Sequence, residues 1–389
     1  MSNKLSLYLA GLRLSSFLVF GLPLLALSWP LLAFAQQAGS SATPSAPGTP
    51  AAQAPALNPR PETSAPATAE KRMHIDVVVT DKTGKPISGL DAQDFTLKDN
   101  NLPAQILSFQ AIPAQTMAGH APPPAPPAEV ILLLDAVNEG FQTTARMREE
   151  MVKFLRQNGG HLAEPVSVLL FTNEGIKVVL QPSLDGSALA AQLDQLDPGF
   201  RVLGRSAGAN GAIERFELSL KWFTALARNE AKRPGRKLLI WAGSGWPLLD
   251  RPNIETSSKG EQQLFNGIVD LSTTLREANI ALYSVSLGLP GRGTYLYQEF
   301  LKGVKTAERA NPSDVNLKVL ATQSGGRVMP PDNDVAGQIT TCVQDASAFY
   351  RLSFDPPRAD RANEYHDLKV EVDKPGLTAR TSTGYYNQP

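Results

Sequence analysis

The sequence predicts an α/β fold, a doubly wound sheet inserted between two β segments. Three observations predict it. An apolar run at 130–134 leads without a break into Asp135, and a strand that is apolar on both faces belongs in the middle of a parallel sheet covered by helices. From 130 to 349, strand-like and helix-like patterns alternate, which marks a doubly wound sheet. On either side of that stretch only period-two alternation is found. A short apolar run does not by itself separate a strand from a buried helix segment. Here its length, the Pro-rich stretch before it and the helical pattern after it decide for a strand.

Residues 1–35 read as a cleaved secretory signal. Lys4 and Arg13 precede an apolar stretch at 17–34, and Ala33-Phe34-Ala35 offers a small-x-small cleavage site before Gln36. Pro23 and Pro30 interrupt the run, which argues against a retained anchor. No later stretch approaches the ~18–20 apolar residues of a membrane span. Residues 36–71 are rich in Ala, Pro, Ser and Thr. They bury too little apolar surface to offset chain entropy, so a disordered tether is expected.

The N-terminal β segment is expected over 72–112. Ile75, Val77 and Val79 alternate with more polar neighbours, Asp81–Gly84 is turn chemistry, Phe95 and Leu97 alternate again, and Asp99-Asn100-Asn101 marks a second turn. A third strand is expected at 106–109, and a Pro-rich linker at 113–128. The α/β domain is expected over 129–348, with strands at 130–134, 166–171, 176–180, 237–242, 280–285 and 327–329. Helical spacing links Met147, Met151, Phe154 and Leu155. It recurs at Ile213, Phe216, Leu220 and Phe223, and at Leu264, Ile268, Leu271, Leu275 and Ala278. Over 349–389 the β pattern returns, at 350–354, at Leu368, Val370 and Val372, and at 377–383 beyond the Pro375-Gly376 turn. Neither β segment has enough strands for independent stability. They are therefore expected to pack together as one Ig-like β-sandwich with the α/β domain inserted between them.

The chain has 389 residues, with 37 Lys plus Arg against 37 Asp plus Glu. A net charge of zero argues against a nucleic-acid partner, which calls for a basic excess or stripe. The single cysteine, Cys342, cannot form an internal disulfide. It falls at helical spacing with Val335, Ile339, Val343 and Ala346, so it reads as a small core residue.

The α/β stretch resembles the von Willebrand factor type A (VWA) domain. The likeness rests on the apolar strand ending in Asp135 with a helix after it, and on Pro234-Gly-Arg-Lys-Leu-Leu-Ile-Trp241 as the fourth strand. Glu277-Ala-Asn-Ile-Ala-Leu-Tyr-Ser-Val285 looks like the fifth, and Leu320-Ala-Thr-Gln-Ser-Gly-Gly-Arg327 like the late helix and final strand. More narrowly, the chain resembles the acidobacterial type of secreted VWA-related proteins, through Gly89-Leu-Asp-Ala-Gln-Asp-Phe95, Tyr350-Arg-Leu-Ser-Phe354 and Gly384-Tyr-Tyr386. The resemblance implies a Rossmann-like sheet and a protein-binding role.

Metal-binding members of this family use Asp-x-Ser-x-Ser at the end of the first strand, with a Thr and an Asp from two later loops. Magnesium needs such converging oxygens. Here the motif is Asp135-Ala136-Val137-Asn138-Glu139, in which Val137 offers no side-chain oxygen. Ala242-Gly243-Ser244-Gly245 stands where Thr-Asp-Gly is usual. Asp135, Glu139 and Ser206 would be the ligands if magnesium bound, but no cofactor is favoured. Asp135 is also readable as a carboxylate accepting backbone N–H bonds ahead of the following helix. Without a metal, the expected apex is a recess lined by Asp135, Asn138, Glu139, Ser206 and Ser244.

Enzyme readings are weak. Gly243-Ser244-Gly245 lacks the outer glycines of a nucleophile elbow, since those positions are Ala242 and Trp246. The four histidines, at 74, 120, 161 and 366, show no zinc spacing and read as ordinary surface positions. Trp241 is expected in the core, while Trp246, Tyr295 and Tyr297 are candidates for an aromatic binding surface. The expectation is an exported, non-enzymatic module, periplasmic or extracellular, that binds a protein or cell-envelope surface ligand at the apex. The alternatives are a metal-dependent adhesion receptor for a partner carboxylate and, last, a hydrolase.

Overall fold

A strand between two helical layers sends alternate residues into opposite cores, and the central strands here divide in that way. The computed structural model describes residues 72–112, 128–196, 208–249, 257–291 and 294–389. The expected signal at 1–35, the expected tether at 36–71, His120, Ser206 and nearly all of the expected Pro-rich linker lie outside these residues. The N-terminal β segment forms β1 (Met73–Thr80), β2 (Phe95–Asp99), β3 (Leu102–Ala104) and β4 (Ser108–Ile112). The α/β stretch then runs β5 (Glu129–Asp135), α1 (Phe141–Leu155), β6 (His161–Thr172), β7 (Gly175–Asp185), α2 (Gly186–Gln195), α3 (Gly208–Glu230), β8 (Lys237–Ala242), α4 (Ser258–Glu277), β9 (Ile280–Val285), α5 (Leu317–Gln323) and α6 (Val335–Val343). The chain closes with β10 (Phe349–Phe354), β11 (Glu364–Val372), β12 (Thr378–Arg380) and β13 (Gly384–Asn387).

The α/β sheet has the order β7-β6-β5-β8-β9. All pairings are parallel except that of β6 with β7, which makes β7 an antiparallel edge. Ile131 and Leu133 of β5 join Leu239 and Trp241 of β8 in one core, under Phe216, Leu220 and Phe223 of α3 and Leu264, Ile268 and Leu275 of α4. Val130, Leu132 and Leu134 face the other core, under Met147, Met151 and Leu155 of α1 and Ile339 and Cys342 of α6. Cys342 is buried there, as its spacing implies. Capping fixes several helix starts. Asp185 accepts from Ala188 N at 2.8 Å, and Asn316 accepts from Lys318 N at 3.0 Å.

The flanking segments interleave. One antiparallel sheet has the order β12-β1-β10-β4 and the other β13-β11-β2-β3. The two share a single apolar cluster that includes Ile75, Val77, Phe95, Leu97, Leu352, Phe354, Leu368 and Val370. The β2–β3 turn carries Asn100 at φ 48° and Asn101 at φ 64°, the paired positive values that twist-matched hairpins favour. Ile112 pairs with Phe349, so the α/β unit leaves and rejoins the β region at adjacent residues.

Several expectations need correction. The segment 327–329 contributes one parallel bridge, Val328 to Ser284, rather than a strand. The strand expected at 106–109 begins two residues later as β4, and β3 has no counterpart among the expected strands. Of the stretch 377–383 only Thr378–Arg380 is a strand, β12, which pairs with β1, and a further strand, β13, follows at Gly384–Asn387 and pairs with β11. Gly384 permits the switch, because a Cβ there would sit 2.5 Å from the His366 carbonyl oxygen. His366 is no surface residue. It is buried, its Nδ1 lies 2.7 Å from Asp99 Oδ1, and its ring stacks on Tyr385 at 5.0 Å. His74 and His161 are exposed.

A buried charge network ties the β region to the α/β sheet. Asp345 is fully buried. Its Oδ1 accepts from Arg327 at 2.9 Å, its Oδ2 from Arg380 at 2.6 Å and Tyr283 Oη at 2.9 Å, and its carbonyl from Arg236 at 2.7 Å. Asp76 of β1 receives a two-pronged bond from Arg351 at 2.8 and 3.1 Å. Burial and the Asp345 carboxylate together push the Tyr283 phenol well above its ordinary range. Removing one partner of such a network leaves the others charged and unpaired, so Asp345→Ala is expected to cost about 3–5 kcal/mol in denaturant unfolding. Deleting 349–389 removes β10, the partner of both β1 and β4. Limited proteolysis of the truncated chain is expected to cut within 73–112, and continued protection of that segment would refute the interdependence of the two β segments.

Candidate functional site

Ligands of open α/β sheets bind at the carboxyl ends of the strands, where the strand order reverses. β5 is that point, with β6 on one side and β8 on the other, and it ends in Asp135. The Asp135 carboxylate is fully buried. Oδ1 accepts from the backbone N–H groups of Val137 and Asn138, each at 2.9 Å. Oδ2 accepts from Asn138 Nδ2 at 2.8 Å and Trp241 Nε1 at 2.9 Å. Burial raises the carboxyl above the usual carboxylate range, and these four donors pull the other way. Gly243 closes over it at φ +152°, and a Cβ there would lie 2.9 Å from Asp135 Cβ.

The neighbours complete a closed polar knot. Glu139 is buried and accepts the Ser244 backbone N–H. Asn138, half-buried, also donates to Ser219 Oγ of α3 at 3.1 Å. Trp241 packs edge-on against Phe171 and Trp246, with ring centroids at 5.6 and 5.3 Å. Trp246 is buried, not exposed, and its Nε1 donates to the Val315 carbonyl at 3.0 Å.

Of the five expected site residues, Asp135, Asn138, Glu139 and Ser244 do come together, and Ser206 lies outside the described residues. Their arrangement differs from an open recess. Asp135 and Glu139 are turned inward, and only Asn138 and Ser244 reach the surface. The hydrogen bonds match the reading of Asp135 as a carboxylate that caps backbone N–H groups. Among the described residues, both Asp135 oxygens face N–H groups, Val137 presents only its own N–H, and one Glu139 oxygen accepts from Ser244, so the oxygens a divalent cation would need are largely engaged.

The loops also expose large apolar side chains. Phe141, at the first turn of α1, is 53% exposed, and Leu289, four residues beyond the end of β9, is 85% exposed. Tyr295 and Leu296 follow in the same segment and are also exposed. Tyr295 was legible as a candidate in the sequence, but Phe141, Leu289 and Leu296 were not. The signal available was a large apolar residue flanked by turn chemistry, as in Gly288-Leu289-Pro290.

No protein-family model and no curated protein matches the chain. Among solved structures, the human COPII-coat protein Sec24c is similar over 68% of this chain and 44% of its own, with 11% identity and a TM-score of 0.34. The chain thus spans less than half the length of that protein. The SpRpn10 VWA domain is similar over 55% of this chain and 93% of its own, with 13% identity and a TM-score of 0.24. At these scores the fold description stands on the sheet topology itself. No helix among the described residues is long and apolar enough to cross a membrane.

Asp135→Asn would turn an amide NH₂ toward groups that are themselves donors. Leaving a buried donor without its acceptor makes this near-isosteric change cost about 2–4 kcal/mol, read as a lowered denaturation midpoint. An unchanged midpoint would show that the carboxylate is not what closes the apex.

Proposed function

We propose that this chain is an exported, non-enzymatic protein-binding module of VWA type, periplasmic or extracellular, carried on an Ig-like β-sandwich. The reading is supported by the sheet order, with its central strand ending at the switch point and its antiparallel edge. The observation that carries it is the exposure of Phe141, Leu289, Tyr295 and Leu296 on segments that leave the carboxyl ends of β5 and β9. Large apolar side chains exposed on the loops of a rigid scaffold are candidates for an interaction surface. The partner is a protein, or a cell-envelope component, that offers apolar area to these loops. Asp135 acts from beneath by fixing the turn from which Phe141 projects.

Binding in this reading is independent of divalent metal. A metal-bridged adhesion site would need the Asp135 and Glu139 oxygens to abandon the donors they hold. The test uses the full chain to capture partners from its native envelope. Leu289→Glu is expected to weaken capture by about tenfold, the effect of losing one central apolar contact. EDTA is expected to change nothing. Release by EDTA with recovery on adding Mg²⁺ would instead establish the metal-dependent receptor, and full binding by Leu289→Glu would remove the loop surface from the reading.

A further inference from the structure

At the opposite pole of the sheet, where β9 begins, a cavity of about 70 Å³ separates the β region from the α/β unit. About 10–15 Å³ of such volume holds one water, so the space admits a small ion. Its lining includes Arg236, Arg276, His74 and Asp76. Two guanidinium groups thus meet one carboxylate, and that carboxylate is already gripped by Arg351 at 2.8 and 3.1 Å.

The two arginines differ. Arg236 is 3% exposed and committed, with Nη1 on the Asp345 carbonyl at 2.7 Å and its guanidinium over the Phe349 ring at 4.4 Å. Arg276, in the last turn of α4, donates no hydrogen bond to any described residue. Its ion pair is with Glu277, 3.8 Å away and 59% exposed at the side chain. Burial holds the Arg276 pKa below the ordinary arginine range, and Glu277 opposes this only in part. Ser272, Asn279 and Ser382 also line the cavity, and their side chains form no hydrogen bond with described residues. A half-buried guanidinium beside unused hydroxyl and amide donors is the donor set that recognises an oxyanion.

We propose that this junction cavity binds a small tetrahedral oxyanion, phosphate or sulfate, held by Arg276 with Ser272, Asn279 and Ser382. The anion would touch both the β region, through Ser382, and the α/β unit, through α4. Its binding should therefore stabilise their junction. The site is independent of the apex reading and stands or falls apart from it.

The probe is inorganic phosphate, titrated into the full chain at ionic strength matched with sodium chloride and followed by thermal unfolding and by ³¹P line broadening. The wild-type chain is expected to show a saturable rise in Tm. Arg276→Met should lose phosphate affinity by about tenfold or more, the value of a charge-assisted hydrogen bond. Asn279→Gly keeps the backbone at its positive φ of 52° and should lose about fivefold, as for one neutral hydrogen bond. Exclusion of phosphate from the protein surface raises Tm without saturation and equally in all variants. That outcome, or the absence of ³¹P broadening in the wild type, would overturn the site. Acetate matching phosphate at equal concentration would overturn the assignment to a tetrahedral oxyanion.

Discussion

The structure depends most on one buried carboxylate. Asp345 lies just beyond α6 and four residues before β10 begins, where the chain leaves the α/β unit for the β region. It gathers Arg327 and Tyr283 from the α/β side and Arg380 from β12. A charge with no exposure is tolerable only when every lone pair is used, so these groups must hold their places together. Because Phe349 pairs with Ile112, fixing the exit of the inserted unit also fixes its entrance. The chain can then interleave its two ends into common sheets. Apolar contacts reinforce the junction, since Tyr365 of β11 and Tyr386 of β13 belong to the same core as Phe265 of α4.

The apex uses the same chemistry to a different end. Asp135 stands where related sheets place ligand-binding groups, yet its four hydrogen-bond sites are filled by Val137, Asn138 and Trp241. The indole is decisive. Trp241 lies on β8 beside β5 and delivers an N–H to the oxygen that an incoming ligand would otherwise take. A carboxylate at this position then serves to shape a turn. In the proposed reading, recognition passes to the large apolar side chains exposed nearby, Phe141, Leu289, Tyr295 and Leu296.

The two poles of the sheet therefore differ in kind. The carboxyl pole has an Asp135 carboxylate whose oxygens are engaged from within and has exposed apolar side chains, which suits a macromolecular partner. The amino pole has a cationic cavity with unused donors, which suits a small anion. The first depends on surface area removed from water, the second on directed hydrogen bonds.

By itself, the sequence determined the elements that rest on periodicity. The bounds 237–242 and 280–285 agree with β8 and β9, because continuous apolar runs between turns leave little choice. The helices through Met147, Phe216 and Leu264 follow from spacing alone. The lack of a hydroxyl at position 137 was equally plain. Other features depend on partners distant in sequence and have no local signature. The strand expected over 377–383 shortens to β12 because its partner is β1, and β13 forms beyond it because its partner is β11. His366 and Trp246 are buried against groups from elsewhere in the chain: Asp99 meets the imidazole Nδ1, Tyr385 stacks on its ring, and the Val315 carbonyl accepts the Trp246 indole N–H. Residue type named Asp135 as the group to watch. Only the tertiary structure decided whether its oxygens face outward to a ligand or inward to Trp241, since hydrogen-bond direction is fixed by groups brought together in folding.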